Sequence, residues 1–306
     1  MPECFFSIAI PVYNRKQYIK NAIDSVLSQS FDNYELIIVD NNSTDGTWEY
    51  LCSLTNSKIR VFQNSTNIGM VPNWVKCVEY AKGTWFKFLM SDDVFSENCL
   101  INQYLLIQRN ISNNVFISRG EAIGNVYDCS QGVDFEIIDI SKFTNMVKKY
   151  IVNKYPIMPN AYTLKTQDLK TLVNMAEFNK VVDCLGNTGH DVDYYIFCKI
   201  ALKYDAIIQS NKVAYLVRTH KNQGSNLYNT KLKYLVRGDR FITNLLLENN
   251  STVDKLYVFK HLLRYFIRFF RVNPSIRSLS NLLYDFFAVI GYELYLIYSK
   301  NNAFKN

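Results

Sequence analysis

The sequence predicts an α/β protein: a largely parallel, twisted sheet flanked by helices, with a helical extension at its C-terminal end. Three observations carry that expectation. Apolar runs of strand length alternate with amphipathic runs of helical period from residue 5 to residue 110. Chemically capable polar residues come directly after the apolar runs, where an open parallel sheet presents its ligand-binding edge. From residue 227 onward glycine is scarce, aromatics are frequent and long helical patterns take over. The expected organisation is one α/β domain over 1–226, with halves 1–110 and 111–226, and a helical extension over 227–306.

The run 5–12, closed by Pro11-Val12-Tyr13-Asn14, reads as a buried strand ending in a loop. Tyr18, Ile19, Ala22, Ile23, Val26 and Leu27 then recur at helical spacing, so 16–28 is an amphipathic helix. A second buried strand over 34–40 is bounded by the turn-forming cluster 41–46. A helix over 48–54 and a third strand over 58–63 follow. Pro72 suits the first turn of a helix carrying Trp74, Val75 and Val78, which stops before Gly83. The fourth strand, 84–90, runs straight into Asp92 and Asp93. Beyond Asn110 the pattern loosens: 115–117 and 133–138 are candidate strands, with antiparallel pairing as an option, and 143–152 is a candidate helix. Helical spacing returns over 191–202, followed by strands at 206–209 and 213–217.

With 306 residues, 48% hydrophobic and 20% charged, the chain has the balance of an ordinary globular protein rather than a disordered or fibrous one. The net charge of +7 favours anionic partners. Seven cysteines stand singly, at Cys4, Cys52, Cys77, Cys99, Cys129, Cys184 and Cys198. That spacing argues against a zinc site and a disulfide framework and fits a reducing cytoplasm. The start of the chain enters a strand without a basic region and apolar stretch, so secretion is not expected.

Two adjacent carboxylates after a buried strand need water, a cation or a polyphosphate beside them. Taken alone, Asp92 and Asp93 read equally well as a turn before a helix with Ser96 as cap and Glu97 in its first turn. In a parallel sheet, however, 11–14, 40–42 and 92–93 fall on one rim. Asp40 is placed to accept hydrogen bonds from a nucleobase edge, and the Asn and Ser residues after it to reach a ribose. Asn67-Ile68-Gly69, after the third strand, combines an amide with a glycine that allows close backbone approach.

FSIAIPVYNRKQYIKNAIDSVLSQSFDNYELIIVDNNSTDGT, NIGMVPNW and AKGTWFKFLMSDD, in that order, resemble the N-terminal half of an inverting family 2 glycosyltransferase of GT-A fold, the type acting on bacterial surface polysaccharides. The resemblance covers about 5–100, and implies a Rossmann-like nucleotide-binding half. It implies that Pro11, Tyr13 and Asp40 line the base pocket of a nucleoside-diphosphate sugar, with Asn67 near the nucleotide and Asp92 near ribose or sugar. The expected donor-binding set is Pro11, Val12, Tyr13, Asn14, Asp40, Asn42, Asn67, Gly69, Ser91 and Asp92. Asp93 is expected on a Mg²⁺ or Mn²⁺ bridging the diphosphate. The segment 189–195 resembles the family's acidic helix start, which makes Asp191 the expected general base and Asp193 its rival; on a helix those two side chains diverge. The segment 217–225 resembles the Arg-x-His stretch that closes over the diphosphate, which makes His220 a metal or phosphate ligand. The chain departs from the pattern at Ser91, where an acid is usual, at Asn41, where a second Asp is frequent, and at His190, where Glu commonly precedes the base.

The implied function is inverting transfer of a sugar, from a UDP-sugar in the first instance, to a hydroxyl of a glycan or lipid-linked oligosaccharide during surface polysaccharide biosynthesis. A catalytically weak or inactive nucleotide-sugar-binding protein is the alternative raised by Ser91 and Asn41, and a nucleotidyltransferase is another. A nucleotidyltransferase would need a glycine-rich phosphate loop that 11–16 lacks. No nucleic-acid partner is expected, because the basic residues cluster in the tail instead of around an aromatic strand platform. Over 253–272, Lys260, His261, Arg264, Arg268 and Arg271 share one helical arc, with Phe259, Leu262, Phe266, Phe269 and Phe270 on much of the rest. That is the composition of an interfacial helix, and a basic face packed against the domain is the competing expectation. A second apolar helix over 279–298 is interrupted by Asp285, Gly291 and Glu293, so it is not expected to span a bilayer. The expected location is cytoplasmic and peripheral, with 253–298 on the anionic inner face of the cell membrane.

Overall fold

Strand β1 (Phe6–Val12) and strand β2 (Tyr34–Asp40) are buried at every position. That is why their sequences are almost continuously apolar instead of alternating: both faces of the sheet are covered. The computed structural model describes residues 3–110, 112, 115–123, 134–140, 158–176, 178–179, 182 and 192–218. The chain divides into two units, Met1–Lys221 and Asn222–Asn306, and all described residues belong to the first. The expected elements at 143–152, 253–272 and 279–298 lie outside the described residues.

Helix α1 (Lys16–Leu27) buries Ile19, Ala22, Ile23 and Val26, one stripe at helical spacing. They pack in one cluster with Phe6, Ile8 and Ile10 of β1 and with Leu36 and Ile38 of β2. Helix α2 (Thr47–Cys52) and strand β3 (Ile59–Gln63) follow. Helix α3 (Met70–Tyr80) carries Pro72 in its first turn and buries Trp74, Cys77 and Val78. Strand β4 (Trp85–Phe88) is again buried throughout, with the Phe88 ring 5.8 Å from that of Trp74. Strands β1 to β4 are parallel, in the order β3-β2-β1-β4.

Past β4 the sheet is mixed: β1 to β4 form the main parallel part of the largely parallel sheet expected, and the antiparallel pairing left open beyond Asn110 is taken by the strands Phe135–Asp139 and Tyr162–Lys165. Strand β5 (Val94–Phe95) and helix α4 (Cys99–Arg109) lead to strand β6 (Val115–Ala122) and strand β7 (Phe135–Asp139). A short 3-10 turn at Pro159–Ala161, strand β8 (Tyr162–Lys165) and helix α5 (Thr166–Val173) come next. Helix α6 (Val192–Ala201) precedes strand β9 (Ala206–Val217). β8 sits antiparallel between β4 and β6, β6 runs parallel to β9, and β5 and β7 pair antiparallel with β9. The two strands expected at 206–209 and 213–217 are one: Ser210-Asn211-Lys212 stays extended, and the irregularity is absorbed by register shifts around Arg119 of β6.

At the end of the sheet where β1 and β2 begin, polar atoms are gathered around Glu35. Its Oε1 accepts from Ser7 Oγ and from the Lys82 N–H, both at 2.6 Å, and its Oε2 from Arg60 Nη1 at 2.6 Å. The Gly83 N–H donates to Ser7 Oγ at 2.7 Å. One carboxylate thereby ties β1, β2, β3 and the α3–β4 connection together. Gly83 is required by proximity: a Cβ there would lie 2.6 Å from the Ser7 nitrogen and 2.7 Å from the Phe6 carbonyl carbon. Backbone cannot move aside as a side-chain tip can. Gly83→Ala is expected to cost about 1–3 kcal/mol, read as a lower urea midpoint with unchanged slope.

Candidate functional site

The strand order reverses between β2 and β4 around β1, and loops leaving the C-terminal ends of these strands open onto one crevice. Pro11 and Val12 end β1 and are buried, so they reach the rim through the backbone; the Val12 carbonyl accepts the Asn41 N–H at 2.8 Å. Tyr13 follows with 42% of its surface exposed, its ring on the rim. Asn14 and Asn42 both take the left-handed conformation, at φ 52° and 64°, which asparagine tolerates better than other side chains with a Cβ. The Asn14 N–H donates to Ser43 Oγ and the Thr44 N–H donates to Asn14 Oδ1, both at 2.8 Å, which staples the β1 loop to the β2 loop.

Asp40 is fully buried. Its Oδ2 accepts from the Ser43 N–H and from Gln63 Nε2, each at 3.0 Å, and its Oδ1 accepts from Ser43 Oγ. The carboxylate expected to meet a base has no exposed surface here and shapes the loop around it. Asn41, absent from the expected set, is the hub of the next loop. Its Nδ2 donates to Asn67 Oδ1 at 2.8 Å and to the Gly69 carbonyl at 3.1 Å. Its Oδ1 accepts from Asn64 Nδ2 and from the Ile68 N–H, both at 3.0 Å. An aspartate here would point oxygen at two acceptors, which accounts for the amide where the family often has an acid. Gly69, at φ 93°, turns its carbonyl toward that amide in a conformation few other residues adopt. Asn67 itself is exposed at the rim.

The second cluster lies at the end of β4. Ser91 and Asp93 are buried, and Asp92 is half-buried. Asp93 accepts the Arg218 N–H on Oδ1 at 2.9 Å and Asn160 Nδ2 on Oδ2 at 2.6 Å. Burial, and then the neighbouring Asp92 charge, push its carboxyl up to about 7. Arg218, one residue past β9, also donates from Nε to the Asp92 carbonyl at 3.3 Å, and its guanidinium sits 5.4 Å from the Tyr18 ring. Arg15 Nε lies 3.7 Å from Asp92 Oδ2 and joins the two clusters. Asp193 stands in the first turn of α6, and burial together with its charge raises the hydroxyl of Tyr162 well above the usual tyrosine value. Asp191 and His220 lie outside the described residues.

The sequence does not point to Arg15, Asn160 or Lys87, and it suggests Asn41 for a ribose contact, not as the hub of a loop. Lys87 left a trace, a lysine in the middle of the apolar run Trp85-Phe86-Lys87-Phe88. It is fully buried, its Nζ donates to the Asn160 carbonyl at 2.6 Å, and the Phe95 ring lies 5.8 Å away.

Among the described residues no group of three or more His, Cys, Asp or Glu side chains gathers around a common point. The donor set nevertheless suits a divalent cation of the kind bound by one or two carboxylates together with substrate phosphates. Asp93, a buried carboxylate whose charge is opposed by a second carboxylate, is where a cation would relieve the electrostatic strain. Among the described residues no helix is long and apolar enough to cross a membrane.

Residues 7–181 match the family model described as Glycosyl transferase family 2. That is more than half of the chain, and the chain belongs to this family. Its mixed sheet flanked by helices is GT-A-like. It is similar to the UDP-Glc:alpha-D-GlcNAc-diphosphoundecaprenol beta-1,3-glucosyltransferase WfgD of Escherichia coli, 27% identical over 241 residues that cover 78% of this chain and 85% of WfgD. It is also similar to the glycosyltransferase GlyG of Streptococcus pneumoniae serotype 4, 27% identical over 141 residues; that match covers 44% of this chain and spans 46% of GlyG, about half its length. The putative teichuronic acid biosynthesis glycosyltransferase TuaG of Bacillus subtilis is 37% identical over 99 residues, 32% of this chain and 39% of TuaG. Among solved structures, S. aureus TarS 1-349 in complex with UDP-GlcNAc aligns with a TM-score of 0.67 at 19% identity, over 94% of this chain and 80% of that one. At that identity the likeness shows the fold.

Two outcomes are expected. Asn41→Asp turns two donated hydrogen bonds into oxygen–oxygen contacts and should cost about 1–3 kcal/mol, measured by urea unfolding. Burial holds the Lys87 amine down to about 8, against 10.5 for an ordinary lysine. Between those values the unfolded chain binds more protons than the folded one, so this group makes the protein more stable as pH rises from about 8 to about 10.5, and below about 8 it leaves the full cost of a buried ammonium. The stability of the wild type should therefore gain on that of Lys87→Met across that window, in urea titrations at each pH.

Proposed function

We propose that the protein transfers a sugar, with inversion, from a UDP-sugar to a hydroxyl of a lipid-linked or other glycan acceptor in surface polysaccharide assembly. The observation that supports this best is the Asp92–Asp93 pair at the end of a buried parallel strand, joined through Arg15 to the polar loops of β1 and β2. In this reading Asp40 and the loop around it hold the base edge, and the exposed Tyr13 ring covers the base. Asp93, with Asp92 beside it and His220 as a further ligand, holds Mg²⁺ or Mn²⁺. Held there, the cation would supply positive charge to offset the negative charge that develops on the diphosphate as its bond to the sugar breaks. The names of WfgD and TuaG, which carry a diphosphoundecaprenol-linked acceptor and teichuronic acid biosynthesis, favour a surface-glycan acceptor.

Asp191 removes the proton of the acceptor hydroxyl as that oxygen attacks the anomeric carbon from the face opposite the departing diphosphate. One displacement then inverts the configuration, without a covalent enzyme intermediate. A lipid-linked acceptor also gives the basic, aromatic segment 253–298 a purpose, which is to bring the enzyme to an anionic membrane surface on the cytoplasmic side. The test pairs binding with turnover. UDP-glucose or UDP-GlcNAc with Mn²⁺ should raise the melting temperature of the wild type, by about 2.7 kcal/mol of added stability at a hundredfold excess over Kd. Asp191→Asn should keep that shift and lose transfer by about 10²–10⁴-fold. Retained transfer would move the base to Asp193, and no shift with any nucleotide sugar would overturn the donor reading.

A further inference from the structure

Asn160 is fully buried, and three of its polar groups, the main-chain carbonyl and both ends of the side-chain amide, meet three partners. Its carbonyl accepts from Lys87 Nζ at 2.6 Å, its Oδ1 accepts the Met90 N–H at 2.7 Å, and its Nδ2 donates to Asp93 Oδ2 at 2.6 Å. The placement follows from the sheet. β8 pairs antiparallel with β4 through Trp85–Lys165 and Phe86–Leu164, which brings the turn before β8 alongside the end of β4. There the backbone ladder gives out, and the Asn160 side chain takes the Met90 N–H in its place. Because Met90 offers a donor, the amide oxygen must face it and the NH₂ must face Asp93, so the side chain has one orientation.

Lys87 explains how the turn is held. A charged amine buried inside an apolar strand is costly unless it does something a leucine cannot. Here its hydrogen bond goes to the main chain of Asn160, fixing the residue from behind. The Arg218 N–H meets the other oxygen of Asp93, so the carboxylate is gripped on both sides. Groups that hold a ligand carboxylate in one orientation lower the entropic cost of binding to it.

We propose that Asn160, anchored by Lys87, is a positioning residue that aims the Asp93 carboxylate at the cation and diphosphate of the donor; this rests on the donor and cation reading above. The test is calorimetric binding of UDP to the full chain, with MnCl₂ titrated in and with EDTA as the metal-free arm, alongside kcat and KM. Asn160→Ser, which loses both side-chain contacts, should raise the Mn²⁺ concentration for half-maximal UDP binding by about tenfold or more, while UDP affinity in EDTA stays within about twofold. Under saturating UDP-sugar its kcat should fall more than its KM rises. Lys87→Met, which leaves the Asn160 side chain in place and is remote from the donor, should shift the Mn²⁺ requirement in the same direction by a smaller factor, and it carries the test if Asn160→Ser fails to fold. A loss of thermal stability with an unchanged Mn²⁺ requirement in the folded variants would reduce Asn160 and Lys87 to structural residues and overturn the proposal. A wild type that binds UDP equally with and without Mn²⁺ would overturn it together with the cation, leaving the donor reading intact. A wild type that binds no UDP would overturn the donor reading itself.

Discussion

Covering the sheet on both faces leaves its central strands little place for a charge except their ends, and the exception, Lys87 inside β4, is held by the Asn160 carbonyl. β1 and β2 are buried at all positions, and the side chains that can do chemistry appear at the rim where the chain leaves β1, β2, β3 and β4. A carboxylate in mid-strand would lose its hydration with nothing to replace it. At the rim, loop N–H groups and neighbouring side chains replace it, as Ser43 and Gln63 do for Asp40. Location and local hydrogen bonding are therefore one problem, solved loop by loop.

The rim is built mostly with amides. The side-chain amides of Asn41, Asn73 and Asn160 each donate and accept, that of Asn64 donates, and those of Asn14 and Asn67 accept; together they link loops that have no ladder between them. A carboxylate can only accept when ionised, so each substitution of Asp by Asn in such a web reverses part of the pattern. Acids remain at Asp40, Asp92 and Asp93, where Ser43, Gln63, Asn160, the Arg218 N–H and Arg15 give an acceptor its use. Arg15 and Arg218 bring positive charge to that pair from opposite directions along the chain, one from the start of α1 and one from the end of β9.

Much of the first half was legible because local pattern and tertiary environment agree there. β2 begins and ends at the expected residues, and the edges of β1, α1 and β3 shift by a residue or so, since each apolar run is closed by a turn-forming cluster. β5, with two residues, and β8, with four, are too short to show a period; they exist because β9 and β4 offer them an edge. The polar Ser210-Asn211-Lys212 interrupts the apolar pattern of β9 and leaves two expected strands, and only the pairing with β6 and β7 along its length makes them one. The same contrast runs through the site. Asp92 and Asp93 announce themselves as charges after an apolar run, whereas Asn160 is an amide in a short turn, and its role arises only when β8 brings it beside β4.

The polar cluster around Glu35 joins three strands and the connection into β4 at one end of the parallel half-sheet, while the loops of the candidate site occupy the other. Such a layout separates what can drift from what cannot. Replacement of a rim side chain such as the exposed Tyr13 alters the crevice without disturbing the charge network at the far end, whereas Ser7, Glu35, Arg60 and Gly83 are bound to one another by it. A lineage of such proteins would be free to explore new donors and acceptors at one pole, with its evolutionary conservatism concentrated at the other.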